Sequence, residues 1–173
     1  MYIGLISDTH GLFDDAVKEF LKPVDQIWHA GDFGTLECAH EIADFKPLIG
    51  VYGNCDGQDV RQEFPLYKTF NCEGLRILMI HIGLRRGSYW AYTPNKLVYD
   101  FEAKRLIDTI HPDIFVCGHT HIPQVFRDKE YGMLFMNPGA CGRQGPAEVP
   151  RMAFRFEIIS GKIKNFEKCE LPR

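Results

Sequence analysis

Short apolar runs that end in Gly or Ser and are followed at once by polar side chains recur along this chain. Three of them lie in the first third of the sequence, at residues 2–7, 26–30 and 47–52. Segments with helical periodicity separate these runs, and strands that alternate with helices predict βαβ units in a largely parallel sheet. The carboxyl ends of parallel strands share one edge, where ligands bind. We therefore expect the polar residues that follow the runs to meet at that edge.

The remaining predicted elements divide the chain into a helix-containing first part and a β-rich second part. Helices are expected at 13–21 and 36–43, between the first three strands. A strand pair is expected after Pro65. The later predictions are a helix at 95–110, a buried strand at 113–117, and antiparallel strands at 124–127, 133–136, 152–159 and beyond a turn at 160–162.

Length and composition limit the classes of protein to consider. The chain has 173 residues and a net charge of −3, so we expect a single domain spanning residues 1–173 and no bulk binding of nucleic acid. It has no basic and apolar leader and no apolar run of about 18 residues, which predicts a cytoplasmic protein that does not bind membranes. The six cysteines lack CxxC spacing, which favours reduced thiols. Homo-oligomer formation stays open.

The motif Gly118-His119-Thr120-His121 follows the apolar run at 113–117. A glycine at a strand end permits an unusual backbone turn, and Pro123 keeps the following chain extended. The two histidines are therefore expected to project from a short, stiff loop. Alone, this motif fits either a pair of metal ligands or two surface histidines that form hydrogen bonds within a loop.

Seven side chains that can bind a metal follow apolar runs in this way. They are Asp8, His10, Asp32, Asn54, His81, His119 and His121. Each one alone has a structural explanation, such as a helix cap, a turn or a buried histidine with satisfied nitrogens. Together, on one sheet edge, they are too many for one tetrahedral zinc ion. They fit two divalent ions that share a carboxylate.

In this order, the motifs resemble the calcineurin-like metallophosphoesterase family, and most closely its small YfcE-type phosphodiesterase branch. The shared motifs are Asp8-x-His10, Gly31-Asp32, Gly53-Asn54-Cys55-Asp56, His81, Gly118-His119-Thr120-His121 and Asn137-Pro138-Gly139. The resemblance covers nearly the whole chain. It implies an α+β fold, a four-layer αββα sandwich in which two mixed β-sheets are flanked by helices.

The resemblance also implies a ligand set and an activity. One metal is expected on Asp8, His10, Asp32 and His121, and the other on Asp32, Asn54, His81 and His119, with Asp32 bridging. Imidazole-rich ligation favours manganese, nickel, iron, cobalt or zinc over magnesium and calcium, and manganese is our first choice. The implied enzyme hydrolyses a small phosphodiester by in-line attack of a metal-bridging hydroxide.

Two departures from the family pattern affect the expected specificity. Cys55 stands where many relatives have a histidine that protonates the leaving group, which puts phosphomonoesterase activity in doubt. Asp56 either orients a histidine or completes the turn. The sequence His81-Ile82-Gly83 lacks the second histidine of close relatives.

Beyond that position, Arg85 and Arg86 lie in a segment rich in aromatic residues. These side chains either hold a phosphate and stack a base, or pack among themselves. Two other functions are compatible with the motifs of the chain as a whole. One is a non-catalytic protein-binding scaffold resembling the retromer subunit Vps29. The other is a nuclease that shares the metal motifs, which is disfavoured because the chain lacks a capping domain and a basic surface.

Overall fold

The computed structural model of the protein describes residues 1–85 and 98–173. In chain order, the elements of these two ranges are β1 (Tyr2–Ile6), α1 (Asp15–Leu21), β2 (Gln26–His29), α2 (Leu36–Phe45), β3 (Leu48–Gly50), α3 (Gln58–Glu63), β4 (Tyr67–Cys72), β5 (Leu75–Ile80), α4 (Phe101–Ile110), β6 (Ile114–Val116), β7 (Gln124–Arg127), β8 (Leu134–Asn137), β9 (Arg151–Ile159) and β10 (Lys162–Leu171). None of the helices in these ranges has both the length and the apolar character needed to cross a membrane.

The strands form two mixed sheets of five strands each. The first sheet has the order β10-β9-β1-β2-β3, and the second has the order β4-β5-β6-β8-β7. In the first, β1, β2 and β3 are parallel, β9 pairs antiparallel with β1, and β10 pairs antiparallel with β9. In the second, β5, β6 and β8 are parallel, and β4 and β7 are antiparallel edge strands. Each sheet therefore contains one set of parallel strands whose carboxyl ends lie on the same edge.

Alternation of side chains along the strands builds the layers. Ile3 and Leu5 of β1 point into the core between the sheets, where they join Ile77 and Met79 of β5. Ile6 faces the opposite way and packs with residues of α1 and α2, while Leu78 and Ile80 pack with residues of α4. The order of layers is helices, sheet, sheet, helix, which confirms the predicted four-layer αββα sandwich.

Three sequence-based expectations differ from the structure. The short helix α3 was not predicted, because only Val60 among its six residues is buried and so no apolar periodicity marks it. The helix expected at 95–110 begins at Phe101, and residues 95–97 lie outside the described ranges. The run at 133–136 was expected to be antiparallel, but β8 pairs parallel with β6 on one side and antiparallel with β7 on the other.

Candidate metal centre

Five of the seven candidate ligands meet where the two sets of parallel strands end. Nε2 of His121 lies 3.0 Å from Oδ1 of Asp8, and Nε2 of His81 lies 3.2 Å from Oδ2 of Asp32. Nε2 of His10 is 3.4 Å from Nε2 of His121 and 3.9 Å from Oδ2 of Asp32. Asp8, His10 and His121 form one compact group of donor atoms, and Asp8, Asp32 and His81 form a second.

The backbone at this edge adopts a conformation that most residues avoid. Five of the candidate ligands have positive φ, which places them in the left-handed region: Asp8 (53°), His10 (46°), Asp32 (57°), His119 (68°) and His121 (58°). Asp and His tolerate this region better than most residue types, yet each such residue costs about 1 kcal/mol or more. The fold keeps five strained residues together, which is typical of a functional site.

Asp8 has one carboxylate oxygen fixed and one available. Oδ2 accepts a hydrogen bond from Oγ of Ser7 (2.5 Å) and another from the backbone N–H of His119 (3.1 Å). Oδ1 is buried, accepts no hydrogen bond, and faces the imidazoles of His121, His81 and His10. Burial raises the pKa of Asp8, but the neighbouring imidazoles, His81 foremost, outweigh it and lower the pKa. The side chain is therefore an ionised carboxylate with a free oxygen.

Asp32 is held in the same way. Oδ1 accepts a hydrogen bond from the backbone N–H of Cys55 at 2.8 Å, which leaves Oδ2 directed at His81 and His10. The loop at residue 53 packs so closely against this carboxylate that a Cβ on Gly53 would collide with it. A glycine at 53 is thus required for packing. The contact fixes the position of Oδ2 between the two histidines.

His81 presents a buried nitrogen, Nε2, that lies 3.2 Å from Oδ2 of Asp32. Nδ1 donates to the carbonyl oxygen of Ala30 at 2.7 Å, so in the neutral ring the lone pair is on Nε2. Nε2 is buried and has no hydrogen-bond partner. Burial lowers the pKa of His81, but Asp8 and Asp32 outweigh it and raise the pKa to about 9. The two carboxylates thus favour a positive charge at this nitrogen.

The loop that carries His119 and His121 is fixed by Asn137 at the end of β8. Nδ2 of Asn137 donates to the carbonyl oxygen of Gly118 (2.9 Å) and to Oγ1 of Thr120 (3.0 Å). The ring of His119 lies edge-on to the ring of His81, with centroids 5.4 Å apart. His119 therefore borders the site beside His81, while His121 lies on the side of Asp8 and His10.

Asn54 and Cys55 lie on the exposed side of the cluster. Nδ2 of Asn54 donates to Sγ of Cys55 at 3.2 Å, and Cys55 forms a third group of close donor atoms with His10 and Asp32. Burial, assisted by Asp32, raises the pKa of the Cys55 thiol to about 11. The thiol is therefore protonated at neutral pH.

Asp56 connects two loops and does not contact a histidine. Its Oδ1 accepts from the backbone N–H of Gly34 (2.9 Å) and its Oδ2 from that of Gly53 (2.7 Å). Arg61 of α3 adds to this connection, because Nε donates to the carbonyl oxygen of Asp56 and Nη2 donates to that of Asn54. Of the two roles considered for Asp56, the structure favours completion of the turn. Asp56 positions Asn54 and Cys55.

One buried residue beside the cluster, His29, was missed from the sequence. His29 at the end of β2 is fully buried, and its Nδ1 accepts from the N–H of Gly31 (3.1 Å) while its Nε2 lies 3.0 Å from Oγ1 of Thr9. Burial lowers the pKa of His29 to about 3, so the ring is neutral. His29 follows an apolar run as the candidate ligands do, and it differs from them because both of its ring nitrogens have protein partners.

The expected substrate-binding arginines are only partly described. Arg85 is exposed, and its backbone N–H donates to the carbonyl oxygen of Val98 at 2.8 Å. Arg86 lies outside the described residues. Among the described residues, the pocket next to Asn54 and His81 is also lined by Arg61 of α3, Leu66 just before β4 and Glu102 of α4.

The donor set fits divalent metal ions. Ionised carboxylates bind metals, and so does an imidazole nitrogen that gives up its proton to the ion; here Oδ1 of Asp8 and Nε2 of His81 are buried, 3.9 Å apart and without a hydrogen bond. In a protein such atoms are satisfied by a hydrogen bond or by a metal. A cation among them would also balance the two carboxylates.

Comparisons with known proteins agree with this chemistry. The model of the calcineurin-like phosphoesterase superfamily domain matches residues 1–158. A probable metallophosphoesterase from Methanothermobacter thermautotrophicus is 30% identical over 145 residues, which cover 81% of this chain and 77% of that protein. The family implies divalent metal ions.

Solved structures share the fold. A Vps29 variant from Entamoeba histolytica superposes with a TM-score of 0.72 at 17% identity, over 99% of both chains. A structure titled as a novel archaeal phosphodiesterase has a TM-score of 0.67 at 20% identity, over 99% of this chain and 100% of that one. A Thermotoga maritima protein has the same TM-score at 27% identity, over 98% and 99%. From its matched domain and its sequence relative, the chain belongs to the calcineurin-like phosphoesterase superfamily.

Proposed function

We propose that this protein is a phosphodiesterase that uses two divalent transition-metal ions to hydrolyse a small phosphodiester. One observation carries the proposal. Oδ1 of Asp8 and Nε2 of His81 are buried without hydrogen bonds, and they face each other across 3.9 Å inside a cluster of ionisable side chains. Buried polar atoms without a hydrogen bond are costly, and each of these two also lies close to a further candidate ligand, His121 at 3.0 Å and Asp32 at 3.2 Å, which supports a bound cation.

The ligands divide into two sets around Asp32. Asp8, His10 and His121 would hold one ion, since their donor atoms form one compact group. His81, His119 and Asn54 would hold the other, beside the pocket that Asn54 and His81 line. Oδ2 of Asp32 lies 3.9 Å from Nε2 of His10 and 3.2 Å from Nε2 of His81, which supports a bridging role.

When bound, the two ions would supply positive charge to the phosphoryl oxygens and lower the pKa of the water that attacks phosphorus. The protein contributes only two carboxylates, so the loaded site stays cationic and attracts an anionic diester. Four of the seven ligands are imidazoles, which favours manganese, nickel, iron, cobalt or zinc over magnesium.

The residues near the leaving group favour diesters over monoesters. Cys55 occupies the position from which a histidine would protonate a leaving alkoxide, and its thiol, with a pKa raised to about 11 by burial and by Asp32, is a poor acid at neutral pH. A diester with a good leaving group needs little protonation. The structure titled as an archaeal phosphodiesterase shares this fold and is consistent with that preference.

The test is a metal and substrate survey of the purified chain. We expect about two manganese ions per chain after loading, measured by elemental analysis, and hydrolysis of bis(p-nitrophenyl) phosphate well above that of p-nitrophenyl phosphate. Full metal content with neither substrate hydrolysed would contradict the proposed enzyme and favour the protein-binding scaffold. Faster turnover of the monoester would contradict the role given to Cys55.

A further inference from the structure

A pocket of about 290 Å³ opens directly beside Asn54 and His81. Its far wall lies on α3, just before β4 and at the start of α4, and residues that follow β3 and β5 flank the two candidate ligands. The side chains that matter are Tyr52, Arg61, Leu66, Ile82, Asp100 and Glu102. A substrate whose phosphoryl group reaches Asn54 and His81 would place its next group in this pocket.

The charged side chains of the pocket largely cancel. Both oxygens of Glu102 are taken by Arg105, with Nη2 at 2.5 Å and Nε at 3.0 Å. Arg61 donates to carbonyl oxygens of the loop at 53–56 and lies over the ring of Tyr52, 4.9 Å from its centroid. Asp100 adds one negative charge to the same lining. Among the described lining residues, no net positive charge is left to bind a second phosphate.

Apolar surface dominates the rest of the lining. Tyr52 and Ile82 are half-buried, and Leu66 is 43% exposed although it lines a concave surface. An exposed leucine and an aromatic ring in one pocket form an apolar surface on which a flat organic group can pack. Asp100 is an acidic residue of this lining. Its Oδ1 caps α4 by accepting from the N–H of Glu102 at 3.1 Å.

We infer that this pocket binds an uncharged organic group, aromatic or similarly flat, that is esterified to the phosphate, and that it disfavours substrates with a second anionic group there. The inference rests on the proposed function, because the metals fix the phosphate. It narrows the substrate class to phosphodiesters of apolar or aromatic alcohols, including nucleosides, and away from polyphosphates.

Three non-hydrolysable ligands test the pocket: methylphosphonate, phenylphosphonate and 4-phosphonobenzoate. All three offer the same phosphonate to the zinc-loaded chain, and only the attached group differs. Burial of the phenyl ring should make phenylphosphonate bind about tenfold more tightly than methylphosphonate in calorimetry. The added carboxylate should make 4-phosphonobenzoate bind about fivefold more weakly than phenylphosphonate. The ring should also shift the methyl NMR signals of Leu66 and Ile82, which methylphosphonate should leave in place.

A matched pair of variants separates the charge effect from the fold. Asparagine caps helices as well as aspartate, so Asp100→Asn keeps the cap of α4 while removing the charge. It should reduce the fivefold discrimination against 4-phosphonobenzoate to about twofold or less. Asp108→Asn, which removes an exposed charge from the last turn of the same helix, should leave the discrimination unchanged.

The outcomes distinguish the pocket from the metal centre. Equal affinities for methyl- and phenylphosphonate, with no shift at Leu66 or Ile82, would overturn the pocket and leave the phosphoesterase standing. An unchanged discrimination in Asp100→Asn would overturn the role of that carboxylate. If the metal-loaded chain bound none of the three phosphonates, the proposed function would fail and the pocket with it.

Discussion

Two groups of non-glycine residues in the described ranges have positive φ, and they differ in burial and in their place in the fold. The first group is the five candidate ligands with positive φ, all buried or half-buried at the edge that carries the candidate metal centre. The second group, Glu73, His111, Ser160 and Asn165, is exposed and lies at hairpin turns, a helix end and an irregularity between β9 and β10. Left-handed backbone reverses the chain at the exposed positions.

His111 and His119 show the contrast most directly. Both are histidines with positive φ, at 50° and 68°. His111 ends α4, where its N–H bonds to the carbonyl oxygen of Ile107 and its side chain is exposed. His119 donates its N–H to the carboxylate of Asp8 and packs its ring against His81. At residue 111 the positive φ only ends the helix, whereas at residue 119 it also orients the imidazole. Substitutions in the two groups should therefore have opposite effects.

The largest expected effect comes from Asp32→Asn. Asparagine can still accept the N–H of Cys55, but it removes the charge that Oδ2 presents to His10 and His81. We expect a loss of bound metal and a fall in kcat/KM of at least about 100-fold for a phosphodiester. Elemental analysis and kinetics measure the two effects. Asp44→Asn, at an exposed position of α2, is the control. Full metal content and full activity in Asp32→Asn would refute the bridging role.

The ligand-bearing edge could be predicted from the sequence because each ligand follows a strand directly. The run of apolar residues marks β1, β2, β3, β5 and β6, and the next polar residue then falls at the shared edge. The supporting contacts could not be predicted. Ser7 and His29 lie at the ends of apolar runs, where no local pattern distinguishes them from ordinary polar residues. Asn137 belongs to a shared motif, but its contact with the loop at 118–120 arises only because β8 pairs with β6.

The parts of the fold that were missed have a similar cause. A run of four apolar residues at 133–136 fits either strand direction, and only the insertion of β8 between β6 and β7 sets it parallel to β6. Helix α3 has a single buried side chain, Val60, and so no periodicity. Local sequence patterns do not predict a strand direction that is set by long-range pairing, or a helix that is very short.

The next prediction concerns the neutral histidine behind the site. Burial lowers the pKa of His29 to about 3 from an ordinary value of 6.5. The unfolded chain therefore binds a proton between pH 6.5 and 3 that the folded chain does not, so stability falls as the pH decreases through this range. The contribution of His29 is about 1 kcal/mol per pH unit in the middle of the range.

Chemical denaturation between pH 6.5 and 4 measures this contribution. In His29→Gln the side chain cannot titrate, so the free energy of unfolding should change less steeply with pH than in the wild type. The carboxylates titrate in both proteins, and the difference between the two slopes therefore isolates His29. Equal slopes would show that the buried imidazole does not resist protonation.

A pair of glycine substitutions compares the two ends of the sandwich. A Cβ on Gly118 would collide with Oγ of Ser7 and lie 2.8 Å from Oδ2 of Asp8, whereas a Cβ on Gly74 would meet nothing within 4 Å. Gly118→Ala should therefore cost about 2 kcal/mol through overpacking and also weaken metal binding. Gly74→Ala should cost about 1 kcal/mol through its positive φ alone, with metal binding intact. Equal metal affinity in both variants would contradict the tight packing of Asp8.

The smallest expected effect is a gain in stability at the exposed member of the histidine pair. Glycine is the preferred residue for a left-handed helix end, so His111→Gly should relieve backbone strain at the end of α4 and lose no side-chain contact. Part of the relief is offset by the greater freedom of glycine in the unfolded chain. We expect a net gain of about 0.5 kcal/mol, which corresponds to a rise in Tm of about 1–2 °C, with unchanged hydrolysis.

In His119→Gly the same relief should accompany a loss of bound metal, because the imidazole beside His81 is removed. Calorimetry and elemental analysis of the two variants together decide the comparison, since metal loss in both, or in neither, would mean that backbone conformation and ligand position are not coupled at residue 119.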